Sequence, residues 1–402
     1  MKEGVKYIDY YLIGIGNHPK PLINAEVRNL IDRTVIFSGG KRHYQLMKPL
    51  LPHTHVWIEI SGKMSDVITE YEASNQPIVI FTSGDPFFYG FGNTLKRYLP
   101  DAKIMSFPYF NSIQRLCHKM QTSYNELTTV SVHGRDWYEL DKVLIKNKPL
   151  IGVLTDNSKT PAVIAKHLLQ YGFDNYEMSV GEELDGDLEK IETYKLEDLL
   201  NLEFSSLNCL LLRKKCTKTI PFGIPDNQFV PLTNRSNMIT KMPVRLSTIH
   251  ALNLNEVQSF WDIGSCTGSI AIESKRNFPH LHIVAFEKRI ECGAIIQKNI
   301  ERFSTPGIEI VIDDFFNQNL SEFEMPEVVF IGGHGNRLAE LLGKITTLNG
   351  SIRIVINAVK ETTTKVFIET LYNLEYSIST TVIKVDEHNS IKIHSAVKNK
   401  NK

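Results

Sequence analysis

The chain has 402 residues, 45 basic and 45 acidic side chains and 42% hydrophobic residues, the composition of an ordinary globular protein. That length suits two domains rather than one core, and a formal net charge of zero leaves no global field to draw the protein to nucleic acid or an anionic membrane. No stretch approaches the roughly 20 apolar residues of a membrane span, and Cys117, Cys209, Cys216, Cys266 and Cys292 form no C-x-x-C pair, so no disulfide framework or metal site is expected and a cytoplasmic location is.

The opening run MKEGVKYIDYYLIGIG is too polar for a targeting segment and reads as a first strand ending in Gly14-Ile15-Gly16. A short helix is expected over 24–31, strands over 34–38 and 56–60, and a helix over 67–72. The run 77–82, PIVIFT, is apolar and β-branched without alternation, the pattern of a strand buried on both faces. It stops at Ser83-Gly84-Asp85-Pro86. Asp85 as N-cap and Pro86 at the first helical position predict a helix starting there. Three glycines and four aromatic residues within 84–92 also suit a surface that holds an adenosyl group, and both readings stay open. A further helix opens near Phe107–Gln114 with Asn111 or Ser112 as cap. A strand over 128–132 leads to Ser131–Arg135, SVHGR, where His133 and Arg135 flank a glycine. A strand over 151–154, a helix over 162–169 ended by Gly172, and closing strands over 176–180 and 208–212 complete an α/β pattern.

Residues 214–243 break this alternation with Pro221, Pro225, Pro231 and Pro243, which marks a connector and the leading segment of a second domain. Thr240, Lys241 and Arg245 stand at the start of the next helix, facing either a ligand mouth or solvent. The stretch SFWDIGSCTGSIAIES at 259–274 then organises the second half. An apolar strand ends at Asp262, a turn follows with Gly264, Ser265, Cys266, Thr267 and Gly268, and a helix begins. Strand, glycine-bearing turn and helix form the first unit of a nucleotide-type α/β fold. The strand over 282–286 ends at Glu287, about 20 positions past the turn, where a carboxylate binds a ribose hydroxyl pair. A strand over 308–312 ends in Asp313 and Asp314, where adenine recognition is expected, and one over 328–331 ends in Gly332-Gly333-His334. The turn is not G-x-G-x-x-G, so a ligand with ribose and adenine but no pyrophosphate, S-adenosylmethionine, fits best. The halves are not repeats, because the first lacks the D-x-G turn.

With these residues in view, the first half resembles the tetrapyrrole methylases through TSGDPFFYG at 82–90, FPYFNSIQ at 107–114, SVHGR at 131–135 and TDNSKTPAVIAKHLLQYG at 155–172. The second resembles the Rossmann-like methyltransferases that methylate C15 of a corrin precursor and decarboxylate an acetate side chain. It does so through FGIPDNQF at 222–229, MITKMPVR at 238–245, WDIGSCTGS at 261–269, VAFEK at 284–288 and FIGGHG at 330–335. Their order resembles the fused C5,15-methyltransferases of corrin biosynthesis. The resemblance implies a two-lobed tetrapyrrole methylase fold over 1–213 and a Rossmann-like S-adenosylmethionine methyltransferase fold over 214–402, with one S-adenosylmethionine per domain. It implies cofactor contacts from Gly84, Asp85, Asn111 and Ser112 in the first domain. In the second it implies Thr240, Asp262, Gly264, Ser265, Cys266, Thr267, Gly268, Glu287 and Asp314. The ring carries many carboxylates, so His133, Arg135, Lys241 and Arg245 are the expected substrate-binding groups, and His334 is the candidate for proton transfer. The partner is a small-molecule corrin precursor and not nucleic acid, and homo-oligomers are common among such methylases. Cys266 stands where the family's turn has a glycine. Two alternatives remain: a chain in which one domain is inactive, and a nucleic-acid methyltransferase, against which stands the lack of an Asn/Asp-Pro-Pro-aromatic turn after the strand over 328–331.

Overall fold

In a computed structural model of the chain, residues 9–218, 220–233, 235, 238–387 and 389–398 are described. They fall into two compact units. The first comprises the described residues to Arg135, with Pro149–Ala165 and Tyr176–Arg213. The second comprises Asp136–Lys148, Lys166–Asn175 and the described residues from Lys214 on.

The first unit opens with β1 (Asp9–Ile15), α1 (Ala25–Arg33), β2 (Ile36–Gly39), α2 (Lys41–Met47), β3 (Val56–Glu59), α3 (Met64–Ala73), β4 (Ile78–Ser83), α4 (Phe91–Tyr98) and β5 (Lys103–Phe107). These strands form one parallel sheet in the order β3-β2-β4-β1-β5. The central strand β4 is apolar from Ile78 to Phe81 because both faces are covered. Ile78 and Ile80 pack into one core with Tyr71, while Val79 and Phe81 pack into another with Phe37. The chain continues through α5 (Ser112–Lys119), β6 (Leu127–Ser131), α6 (Tyr138–Ile145), β7 (Leu150–Leu154), α7 (Pro161–Gln170), β8 (Tyr176–Glu182), β9 (Lys190–Lys195) and β10 (Asn208–Lys214). A second, mixed sheet has the order β6-β7-β10-β8-β9. Helix α6 and the end of α7 count with the second unit.

The helix expected at Asp85 starts later. The Asp85 carboxylate accepts the Phe87 N–H at 2.8 Å, but Tyr89 takes φ +52° and turns the chain out of the helical path. Helix α4 therefore begins at Phe91 behind Gly90. Asn111 does cap α5, its side chain accepting from the Gln114 N–H at 2.9 Å. Helices α2 and α6 and strands β5 and β9 lack a clear local signature and were not expected.

The second unit holds α8 (Met242–Leu252), β11 (Ser259–Ile263), α9 (Ser269–Asn277), β12 (His282–Glu287), α10 (Ile290–Arg302), β13 (Ile308–Ile312), β14 (Val328–Ile331), α11 (Leu338–Thr346), β15 (Arg353–Ala358), α12 (Glu361–Tyr372), β16 (Tyr376–Ile383) and β17 (Ile391–Lys398). The sheet order is β13-β12-β11-β14-β15-β17-β16, and only the pairs made by β17 run antiparallel. Phe260 points into one core and Trp261 into the other, so β11 is buried throughout. No strand or helix after Ile331 was assigned from sequence, although β15, β16 and β17 are three of the seven strands of this sheet.

Arg245 corrects an expectation. It faces neither a ligand mouth nor solvent, being 0% exposed. Its guanidinium pairs with Glu273, also 0% exposed, and with Asp226, each at 3.0 Å, and donates to the Thr240 and Ile224 carbonyls. The Glu273 carboxylate also accepts the Gly223 and Ile224 N–H groups, so this cluster fastens the segment 222–229 to α8 and α9. A charge this deep is retained only because every partner is present. Arg245→Ala, which strands Glu273, is expected to destabilise the second unit by about 3–5 kcal/mol, measured as the denaturant midpoint of its transition.

Candidate functional site

In the second unit a cavity of about 630 Å³ opens at the carboxyl ends of β11, β12, β13 and β14. It owes its shape to close backbone approach. Gly264 has φ +77°, and a Cβ there would lie 2.5 Å from the Gly333 nitrogen. Cys266 also adopts a left-handed conformation, φ +55°. A non-glycine residue there costs on the order of 1–2 kcal/mol. Its Sγ donates to the Met238 carbonyl at 3.2 Å, and its N–H donates to Glu287 at 2.9 Å.

Asp262 is 1% exposed at the end of β11. One carboxylate oxygen accepts from the Ser265 hydroxyl at 2.7 Å, while the other is buried with no hydrogen-bond partner in the protein. Burial raises this carboxyl to about 7, with a smaller push from Glu287 and opposing hydrogen bonds from Ser265 and Ala271. The Thr267 hydroxyl and His334 Nδ1, both lining the same cavity, are likewise buried and unpartnered. Three orphaned polar atoms around one cavity are what a polar ligand satisfies on binding.

Glu287 is buried at the end of β12. Desolvation works to raise its carboxyl, but the hydrogen bonds and charge of Arg289 and the Cys266 N–H outweigh this and hold it below the usual range. Arg289 was missed from sequence. Its backbone N–H and Nε reach Oε1 at 3.1 and 3.0 Å, and its Nη2 reaches Oε2 at 2.8 Å. With Cys266, all of the roughly four acceptor positions of a carboxylate are filled. Of these donors only the guanidinium belongs to a side chain that can move away. The i,i+2 spacing of Glu287 and Arg289 is a local signal for this pairing.

Thr240, Lys241, Ser265, Thr267, Asp313 and Asp314 also line the cavity. The Asp314 carboxylate accepts the Phe316 N–H at 3.0 Å, and Phe316 lies under the Arg337 guanidinium at 3.5 Å, beside the cavity's Phe315. Gly268 caps α9 at φ +77° and is not among the lining residues. His334 is held below its ordinary pKa by burial and by Lys360, so it is neutral near pH 7.

The first unit carries a cavity of about 530 Å³, lined by Gly84, Asn111, Ser112, His133 and Arg135 among others. Gly84 has φ +61°, and a Cβ on Gly14 would lie 1.9 Å from its carbonyl oxygen. His133 Nδ1 meets the Thr155 carbonyl at 2.9 Å, and Arg135 lies 5.3 Å from the Tyr89 ring. Asp85 is not among the lining residues; its carboxylate is turned to the Phe87 N–H. Arg42, His43 and Ser83, which sequence reading missed, line this cavity too.

Comparison with known proteins finds relatives of both halves of the chain. Residues 10–200 match the family of Tetrapyrrole (Corrin/Porphyrin) Methylases, and residues 233–393 match the Precorrin methyltransferase domain. A precorrin-6Y C(5,15)-methyltransferase [decarboxylating] of Sinorhizobium sp is 29% identical over 352 residues, 87% of this chain and 84% of that protein. A cobalt-precorrin-7 C(5)-methyltransferase of Salmonella typhimurium is 25% identical over 181 residues, 45% of this chain and 87% of that protein. A solved precorrin-6Y C5,15-methyltransferase structure from Geobacter metallireducens, 29% identical, covers 45% of this chain and all of its own, with a TM-score of 0.42. The family matches and the curated relatives define a methyltransferase with a tetrapyrrole methylase domain followed by a methyltransferase domain of the precorrin type. The chain is a homologue of the precorrin-6Y C5,15-methyltransferases that decarboxylate their substrate.

Two outcomes follow from the second cavity. The folded-state pKa of Asp262 lies above its unfolded value, so its contribution to stability is present at low pH and is lost as pH rises through about 7. The apparent Tm of the second unit is expected to fall between about pH 4 and about pH 7, and Asp262→Asn to flatten that slope in thermal scans. Cys266→Gly relieves a left-handed side chain at some cost in backbone entropy, so unfolding stability is expected to hold or to rise by up to about 1 kcal/mol.

Proposed function

We propose that the chain methylates a corrin precursor of the precorrin-6 type at C5 and C15, with loss of carbon dioxide from an acetate side chain, using one S-adenosylmethionine in each domain. The C5 step belongs to residues 1–213 and the C15 step and decarboxylation to 214–402. The observation that carries this reading is the pair of separate cavities, each at a glycine turn beside carboxyl-terminal strand ends. The balanced net charge favours a small-molecule ring over nucleic acid. Among the described residues no helix is long and apolar enough to cross a membrane. We place the enzyme in the cytoplasm and infer a homo-oligomer, following the common habit of such methylases.

S-adenosylmethionine supplies an activated methyl group on a sulfonium, which an electron-rich ring carbon displaces. The chain's task is alignment and exclusion of water. Glu287 would take the ribose hydroxyls, the neighbourhood of Asp313 and Asp314 the adenine, and the turn from Gly264 to Gly268 the backbone contacts. A cation brought next to Asp262 would keep that carboxylate ionised, since an opposite charge favours the charged form. Lys241, unlike Arg245, is free to meet ring carboxylates at the cavity mouth. His334, neutral and with an unpartnered Nδ1, is suited to accept a proton or hydrogen bond and not to donate from an imidazolium.

Glu287→Ala tests the division of labour. Two hydrogen bonds to a charged group contribute roughly 1.5–3 kcal/mol each, so C15 methylation is expected to fall about a hundredfold or more at limiting cofactor. Methylation at C5 should persist. Mass spectrometry should then find a product one methyl lighter and one carbon dioxide heavier than that of the wild type. Full product at low cofactor would remove Glu287 from the ribose site.

A further inference from the structure

The first cavity contains a hydrogen-bond network whose polarity can be read without seeing a hydrogen. His43 Nδ1 faces the Gly40 backbone N–H at 3.2 Å, and a backbone N–H can only donate. Nδ1 is therefore the acceptor. The ring is neutral, because burial and the adjacent Arg42 lower it to about 4. A neutral imidazole carries one hydrogen, so it sits on Nε2. That Nε2 lies 3.0 Å from the Ser83 hydroxyl oxygen and must donate to it. Arg42 Nη2 lies 2.6 Å from the same oxygen, and a guanidinium also can only donate. Ser83 Oγ thus accepts twice. Its two lone pairs are used, and its own hydrogen is left to donate elsewhere.

Ser83 ends β4 and lines the cavity, exposed to it, beside Gly84. The charge around it is unbalanced. Arg42, Arg115 and Arg135 line the cavity, against one carboxylate, Asp185, which is already paired with Arg115 and Lys119. Arg42 donates to neutral oxygens, of Ser83 and of Asn17 at 2.8 Å. Glu183 acts on Arg42 electrostatically, but its oxygens are taken by Asn17 at 3.1 Å and Ser205 at 2.5 Å. The network therefore presents a forced O–H donor backed by a guanidinium, in a wall that needs a negative charge.

We infer that Arg42, His43 and Ser83 form a carboxylate-binding subsite of the first cavity, in which His43 fixes the direction of the Ser83 hydroxyl. The chemistry is that of a charge-assisted O–H···O⁻ bond with a cation behind it. Two ligands of this site carry such a group, the ring's side chains and the amino-acid end of the cofactor. The subsite rests on the proposed C5 activity only for the first of these.

The test uses the full chain and two readouts: KM of the precursor ring for C5 methylation, and calorimetric affinity for S-adenosylhomocysteine in the Glu287→Ala background, where the second site is weakened. Ser83→Ala removes the donor, Arg42→Gln removes the charge, and Ser83→Thr restores a hydroxyl. A hydrogen bond to a charged group predicts an effect of about tenfold or more in Ser83→Ala and Arg42→Gln, with recovery in Ser83→Thr. A raised KM with unchanged S-adenosylhomocysteine affinity identifies a ring carboxylate. A weakened S-adenosylhomocysteine affinity identifies the cofactor's carboxylate. Both readouts within twofold of wild type in Ser83→Ala and Arg42→Gln overturn the subsite. If wild type adds no methyl at C5, the proposed function has failed on its own; unchanged S-adenosylhomocysteine affinity in the variants then overturns the subsite as well, and a weakened affinity upholds it.

Discussion

The Glu287 carboxylate ties the glycine turn after β11 to the end of β12, and the geometry of the second cavity depends on that tie. It accepts the Cys266 N–H and three hydrogens of Arg289. Each donor fixes a different piece of backbone: the turn, the start of α10 and the strand end. A carboxylate buried to this degree is costly unless its acceptor positions are filled, and here they are. Two of these donors are fixed backbone N–H groups and two belong to the mobile guanidinium.

A second buried carboxylate serves stability alone. Glu273 is held by Arg245 and two backbone N–H groups, and it anchors the proline-bearing segment before α8. The two carboxylates separate by place in the fold. Glu287 stands at a strand's carboxyl end, where sheet and loops leave a crevice. Glu273 stands inside α9, packed beneath the segment that covers it. Lys241, four residues before Arg245, lines the cavity instead, because it caps α8 while Arg245 lies one turn inward.

In the first unit the cavity is shaped by backbone against backbone. A Cβ on Gly14 would lie 1.9 Å from the Gly84 carbonyl oxygen, and one on Gly84 would lie 2.9 Å from the Asn111 Cα, so neither tolerates a side chain. Strand ends β1 and β4 are thereby brought together, and Ser83 is set at the rim with Arg42 and His43 from α2. The left-handed Tyr89 that delays α4 belongs to the same construction, since its ring also meets Arg135 at the cavity wall.

The sequence by itself determined the buried strands and the turns that end them. Unbroken apolar runs such as Ile78–Phe81 and Val328–Ile331 can be buried only with both faces covered, and glycines at 84, 264 and 268 mark left-handed backbone that other residues resist. Asp262 and Glu287 were legible because strand ends of this fold face a crevice. Chain order alone left out the antiparallel β16 and β17 and the helices α2 and α6, whose stability comes from packing and not from a strong local period. Tertiary structure decided where each cation goes. Arg245 and Lys241 are alike in sequence context, yet one is sealed against Glu273 and the other is open to the cavity. It also decided that Cys266 takes positive φ, that Asp85 turns to its own loop, and that Arg42, His43 and Ser83 meet across 41 positions of chain. Charge, polarity and turn preference are properties of a residue, whereas burial and partnership belong to the neighbours that folding brings to it.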